Sequence, residues 1–198
     1  MKPSINWAIG FSDFLMVLLS FVLALISVQS KNDGPKTEAE YLITAEWDRN
    51  LDVDIDLWGM NPDKTLIWYG NKEAGAIHLD RDSLGFISDR IVDENGSVTY
   101  LPHKEIQTIR GLIPGRYVFG IQYYRGEEPV AVHVEVIKIR PKTEVVIQAD
   151  IVLQARADAA NFAAFNISPS GAYEKQELPL TPISDFYYKP NNMPNEDK

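Results

Sequence analysis

The sequence contains no cysteine and no cluster of lysine and arginine. The first absence excludes disulfide bonds, thiol catalysis and zinc sites built on cysteine, and it leaves the redox compartment open. The second fits a formal net charge of −9. Because an acidic surface repels phosphate backbones, a nucleic acid is not an expected partner.

Signatures of common enzymes are also missing. The chain has no nucleophile elbow, no P-loop and no glycine-rich dinucleotide fingerprint. Its histidines, His78, His103 and His133, are too widely spaced for a metal triad. We place His78 and His133 on strands and His103 in a turn. The sequence therefore predicts a protein that is not an enzyme.

The amino-terminal segment is the longest apolar run of the chain. Before residue 30 the only charged side chains are Lys2 and Asp13. A helix over residues 7–28 would reach about 33 Å, against a hydrocarbon core of about 30 Å. We predict a transmembrane helix there, with residues 1–6 in the cytoplasm. The alternative is a cleaved signal peptide. A weakly positive amino terminus and apolar residues upstream of Asp13 favour the anchor.

Asp13 lies on a narrow seam of that helix. Steps of three and four residues join small or polar side chains and one valine: Gly10, Asp13, Val17, Ser20, Ala24 and Ser27. Such a seam suits close helix packing, and an intramembrane carboxylate is a functional-site hypothesis. The alternative is that Asp13 caps the helix or reaches the headgroups. The physical argument alone leaves both open.

This helix resembles those of proton-driven motor subunits. The residues Trp7, Phe11, Ser12, Asp13, Phe14, Leu15 and Phe21 resemble the single membrane helix of the flagellar stator protein MotB. The run from Asp13 is also similar to the helix of ExbD and TolR. The resemblance implies that Asp13 carries a proton, with Ser12 and Ser20 as neighbours. It also implies a homodimer inside a multi-span ring protein like MotA, ExbB or TolQ. The expected location is the bacterial inner membrane.

The rest of the chain predicts an all-β domain outside the cytoplasm. A polar linker over residues 29–39 leads to alternating apolar runs and turns over 40–183, which predict an antiparallel, Ig-like β-sandwich of seven to nine strands. Residues 111–139 are typical of a hairpin, with Tyr117 pinning a corner. Residues 155–165 fit a helix or two joined strands. We expect the tail, residues 184–198, to fray.

Aspartates recur in two neighbouring segments of this domain. In "LDVDIDLW", strict alternation places Asp52, Asp54 and Asp56 on one strand face. The segment "LDRDSLG" adds Asp80 and Asp82. These five carboxylates fit a Ca²⁺ site. The preferred interpretation is a solvated face with Arg81 and Lys72 as partners. No other cofactor is predicted.

Residues 42–138 also resemble a known domain. The elements "DVDIDLW", "YGNKEAGAIHLDRDSLG" and "PGRYVFGIQYY" occur in the order found in the YfaP-type β-sandwich of exported bacterial proteins. This likeness implies a fold and little mechanism. Leu57-Trp58 stands where that family often has a histidine.

Two functions follow as expectations. The first is a MotB/ExbD-like subunit of a proton-motive-force-driven inner-membrane motor or energy-transducing complex, whose sandwich engages a periplasmic or envelope ligand. The alternative is a tethered or secreted β-sandwich binding module with no proton role. Several aromatic side chains would be candidates for its binding face: Trp47, Trp58, Trp68, Tyr69, Tyr123 and Tyr124.

Overall fold

The computed structural model describes residues 14–21 and 38–188. The chain divides into two compact units, Met1–Lys36 and Thr37–Lys198. In the first unit, residues 14–21 form helix α1. Within the described residues, no helix has the length and apolarity that crossing a membrane requires. Val17 and Ser20 of the predicted seam lie in α1. The other seam residues, Gly10, Asp13, Ala24 and Ser27, and the predicted proton-site neighbour Ser12 lie outside the described residues.

The second unit is built from two antiparallel sheets. In chain order its strands are β1 (Tyr41–Trp47), β2 (Asp54–Met60), β3 (Leu66–Ile67), β4 (Glu73–Ala74), β5 (Ile77–Arg81), β6 (Arg90–Val92), β7 (Val98–Tyr100), β8 (His103–Ile109), β9 (Gly115–Arg125), β10 (Val130–Lys138), β11 (Glu144–Leu153), β12 (Ala159–Ile167) and β13 (Tyr173–Lys175). Sheet A has the order β11-β10-β1-β8-β5-β4, and sheet B has the order β13-β12-β9-β2-β3. Strands β6 and β7 form a separate ribbon. A 3₁₀ turn, Gly85–Ile87, and helix α2, Ser184–Tyr188, complete the described elements.

The two sheets enclose the main core, as the predicted all-β sandwich requires. In β10 four buried valines of the core alternate with Ala131, His133 and Glu135 on the other face of the sheet, which is the period of a strand with one buried face. Strand β2 differs because all seven of its residues are buried. Its Ile55 and Leu57 belong to the main core, whereas Trp58 and Met60 belong to a second apolar cluster that includes Phe186 of α2. Strand β2 therefore contributes to two buried layers.

The predicted hairpin over residues 111–139 is wrong. Strand β9 pairs with β2 and β12 in sheet B, and β10 pairs with β1 and β11 in sheet A. Their connection crosses between the sheets, and the Tyr123 hydroxyl donates to the Glu128 carbonyl within it. Alternation identifies the buried face of each strand, but it is the same for a hairpin and for two strands in facing sheets.

Other expectations have mixed outcomes. The Tyr117 hydroxyl donates to the Ile113 carbonyl at 2.9 Å, so the predicted corner contact is confirmed. Residues 155–165 form a turn and part of β12 rather than a helix, and the strands that the turn joins, β11 and β12, belong to different sheets. The described strands outnumber the expected seven to nine because several contain only two or three residues. The start of the predicted tail is ordered, since Ser184 and Phe186 are 2% and 1% exposed.

Candidate functional site

Three carboxylates meet inside the second unit. Asp54 and Asp56 lie on β2, and Glu105 lies on β8 of the other sheet. One carboxylate oxygen from each lies within 4.8 Å of the other two. The residues are 3%, 4% and 1% exposed, respectively. We call these three residues the acidic cluster.

The edge of β2 explains how Glu105 reaches the aspartates. Strand β3 pairs with β2 at Gly59 and Met60. At Leu57, side chains from β8 take the place of a neighbouring strand. The Leu57 N–H donates to Glu105 Oε2 at 2.7 Å. Gln107 Nε2 donates to the Leu57 carbonyl, also at 2.7 Å. Glu105 is thereby fixed beside the face of β2 that carries Asp54 and Asp56.

Several oxygens at this place have no hydrogen-bond partner among the residues that the structure describes. They are Asp54 Oδ1, Asp56 Oδ2, Glu105 Oε1, Asp82 Oδ1 and Gln122 Oε1. Gln122 lies directly opposite Asp56 in the β2–β9 register, so the two side chains share one face of sheet B. Buried acceptors without donors are costly, and their concentration around one point marks this cluster as a candidate site.

Burial makes the ionised form of these carboxyls unfavourable. It raises the pKa of Asp54 to about 6, and the charges of Asp82 and Asp52 act in the same direction while Arg125 opposes them. Burial, together with Asp54 and Asp82, raises the pKa of Asp56 to about 8. Burial and the charge of Asp56 raise the pKa of Glu105 well above its usual range. Without a cation, Asp56 and Glu105 would therefore retain protons at neutral pH.

The five aspartates predicted to act together are divided by the structure. Asp52 precedes β2 and accepts two hydrogen bonds from Arg125, each at 3.2 Å. Asp80 is paired with Arg110. Asp82 lies 3.1 Å from Lys72 Nζ, as the solvated-face interpretation expected for Lys72. That interpretation does not hold for Asp54 and Asp56, which are both buried. Arg81, its other expected partner, instead contacts Asp89.

Glu105 and Gln122 were not identified from the sequence. In "HKEIQT" every residue except Ile106 is polar, so the segment shows no alternation that would mark a buried face. One signal was available: Glu105 and Gln107 lie four and two residues before Ile109, so they share its side of the strand, and Ile109 is fully buried. Recognising the pairing with β2 requires a contact between residues 48 positions apart.

A second polar group surrounds Asp89. Ser83 donates to Asp89 Oδ2, and His103 Nδ1 lies 3.0 Å from the same oxygen. Burial raises the pKa of Asp89, but hydrogen bonds from Ser83, His103 and Arg81 outweigh it and hold the pKa below its usual value. Since the carboxylate lies between serine and histidine, the histidine is not placed as a base for the serine. His103, predicted to lie in a turn, begins β8 and is fully buried.

An aromatic cluster lies at the second apolar layer. Trp58 stacks on Trp68 with ring centroids 5.1 Å apart, and Tyr187 lies 4.5 Å from Trp68. Tyr69 contacts both Trp68 and Tyr124. The three tyrosines are between 41% and 49% exposed. Of the other aromatic residues considered for a binding face, Trp47 and Tyr123 are buried in the main core.

Comparisons with family models, curated proteins and solved structures found no match to this chain. The functional argument therefore depends on the sequence and on the described geometry.

Proposed function

We propose that the chain is a single-pass inner-membrane subunit of a proton-driven motor or energy-transducing complex. In this proposal the amino-terminal helix carries Asp13 and works as a homodimer inside a MotA/ExbB/TolQ-like ring. The second unit, an Ig-like sandwich on the outer side of the membrane, engages an envelope partner. The YfaP-type resemblance supports an exported domain of this kind.

The observation that carries the proposal is the surface of α1. All eight of its described residues are exposed, and the large apolar side chains among them are exposed by 47–70%. Water does not tolerate a helix that is apolar on every side, so α1 needs lipid or partner helices around it. Val17 and Ser20 give this helix a narrower stripe suited to a partner.

Asp13 distinguishes a motor helix from a simple anchor. It directly precedes α1 in the sequence, at the head of the apolar run. A carboxyl there can take a proton from one side of the membrane and release it to the other. The membrane potential supplies about 2.3 kcal/mol per charge per 100 mV. Alternating protonation would favour two packings of the seam against the ring in turn.

The test is the activity of the complex that carries Asp13→Asn. Asparagine keeps size and polarity but cannot ionise, so we expect normal insertion and assembly with loss of proton flux. Asp13→Glu is the matched control and should retain partial activity, because it moves the carboxyl by about one bond length. Full flux with Asp13→Asn, at equal protein level, would remove the proton-carrier role.

The aromatic cluster favours a second candidate, a tethered binding module without proton transport. Half-exposed tyrosines around stacked tryptophans provide flat amphipathic surfaces of the kind that bind ligands. In this alternative Asp13 acts as a helix cap. Since asparagine caps nearly as well as aspartate, Asp13→Asn would then leave function unchanged, which separates the two candidates.

A further inference from the structure

We propose that the acidic cluster, Asp54, Asp56 and Glu105 with Gln122, is a binding site for a calcium ion. The site lies in the second unit and does not depend on the proton-carrier proposal. Its donors come from β2 and β9 of sheet B and from β8 of sheet A. A bound ion would therefore join the two sheets.

The spacing of the oxygens fits calcium. Ca²⁺ binds oxygens at roughly 2.3–2.6 Å, so two ligands on opposite sides of the ion are about 4.6–5.2 Å apart. The oxygens of Asp54, Asp56 and Glu105 lie within 4.8 Å of one another. Mg²⁺ usually keeps several waters and takes only one or two carboxylates, so a buried set of three carboxylates and an amide oxygen favours calcium. The absence of nitrogen and sulfur from this donor set disfavours zinc.

Gln122 gives an independent indication of a ligand. It is 8% exposed, and its Oε1 has no donor among the described residues. A neutral amide oxygen gains nothing from three neighbouring carboxylates, whereas calcium accepts amide oxygens readily. Its position opposite Asp56 places this oxygen on the cluster's side of sheet B.

The negative charge of the cluster also favours a bound cation. When ionised, the cluster carries three negative charges, and the charge of Asp82 acts on all three carboxyls. Arg125, the cation that acts on Asp54, is held by both oxygens of Asp52, and Lys72 is held by Asp82. A divalent ion would offset the mutual repulsion and provide a partner for the unpaired oxygens.

The first experiment measures calcium binding by the full chain in detergent after removal of metals with a chelator. Calorimetric titration with CaCl₂ should give one site, and Asp56→Asn and Glu105→Gln should each weaken binding more than about tenfold. The matched control is Asp80→Asn, because Asp80 is an aspartate of the same region already paired with Arg110. It should leave the affinity unchanged.

The main readout of a second experiment uses the unmodified protein and so does not depend on variants folding. Trp58 lies two residues from Asp56 on the same face of β2, about 7 Å along the strand. Terbium, a luminescent substitute for calcium, should therefore show emission sensitised by tryptophan, and calcium should remove it. Trp58→Phe should lower the emission severalfold without changing the affinity.

Two results would overturn the proposed site, and a third would overturn the identity of its ion. One is the absence of both calorimetric binding and sensitised emission at millimolar ion, which would leave the cluster as protonated carboxyls. The other is calcium binding that Asp56→Asn and Glu105→Gln leave unchanged, which would place the ion elsewhere. Magnesium binding of equal or greater strength would reject calcium as the ligand.

Discussion

At the scale of single residues, the carboxyl of Asp56 makes stability depend on pH. Asp54 faces it from β2, Glu105 from β8, Asp82 from the loop after β5, and Arg125 acts on Asp54 from β9. The pKa of Asp56 is about 8 in the folded chain and about 4 in an unfolded chain. The folded state therefore binds the proton more tightly. Its stabilising effect is complete below pH of about 4 and is lost as the pH rises through about 8.

We therefore expect the melting temperature of the metal-free protein to fall between pH 5 and 9. Asp56→Asn should reduce this fall, because the amide does not titrate. The pKa of His133, raised by its hydrogen bond with Asp150, acts in the same direction, so His133→Gln serves as the control for that contribution. Thermal melts at several pH values in chelator test this. An Asp56→Asn curve parallel to that of the unmodified protein would contradict it.

The site was only partly predictable from the sequence. Alternation placed Asp54 and Asp56 on one strand face, and the structure has them together. Alternation also included Asp52, but the strand begins two residues later and Arg125 binds Asp52 instead. Glu105 reaches the aspartates at the part of the β2 edge with which β3 does not pair. The sequence around Glu105 does not show which distant strand edge its side chain will contact.

At the scale of elements, helix α2 extends the folded part of the sheet unit beyond residue 183, where the sequence predicted its end. Phe186 packs in one apolar cluster with residues from β2, β3, β9 and β12. The sequence predicted fraying because prolines and asparagines dominate the chain end. These prolines and asparagines all lie within residues 189–198. Residues 184–188 contain neither, and their Phe186 is buried.

Shortening Phe186 should therefore destabilise the fold. Phe186→Ala leaves a cavity against Trp58 and Met60, and we expect a loss of about 3 kcal/mol in the free energy of unfolding. Leu180→Ala is the control, because Leu180 is fully exposed and should change stability little. Denaturant unfolding followed by tryptophan fluorescence measures both. Equal stability of the two variants would mean that α2 does not hold the sheet.

Strands could be located from the sequence, but their partners could not. Alternation and turn residues indicated β2, β9, β10 and β11, and Tyr117 marked a corner. The pairing of β9 and β10 with strands of different sheets depends on contacts distant in sequence, and a short connection is compatible with either arrangement.

At the scale of the whole molecule, the sheet unit alone does not specify a function, because sandwiches of this type serve many roles. The proposed role depends instead on the amino-terminal segment. The proposal of a motor subunit rests on the exposed apolar surface of α1 and on the carboxyl of Asp13 upstream of it.

The most direct test of this account is the amino terminus of the mature protein. Mass spectrometry of the membrane fraction from the native host should recover a chain that still begins at Met1 or Lys2. The account predicts this because residues 7–28 are proposed to anchor the protein and to position Asp13. A mature chain that begins near Lys31, recovered in the soluble fraction, would contradict both the anchor and the motor.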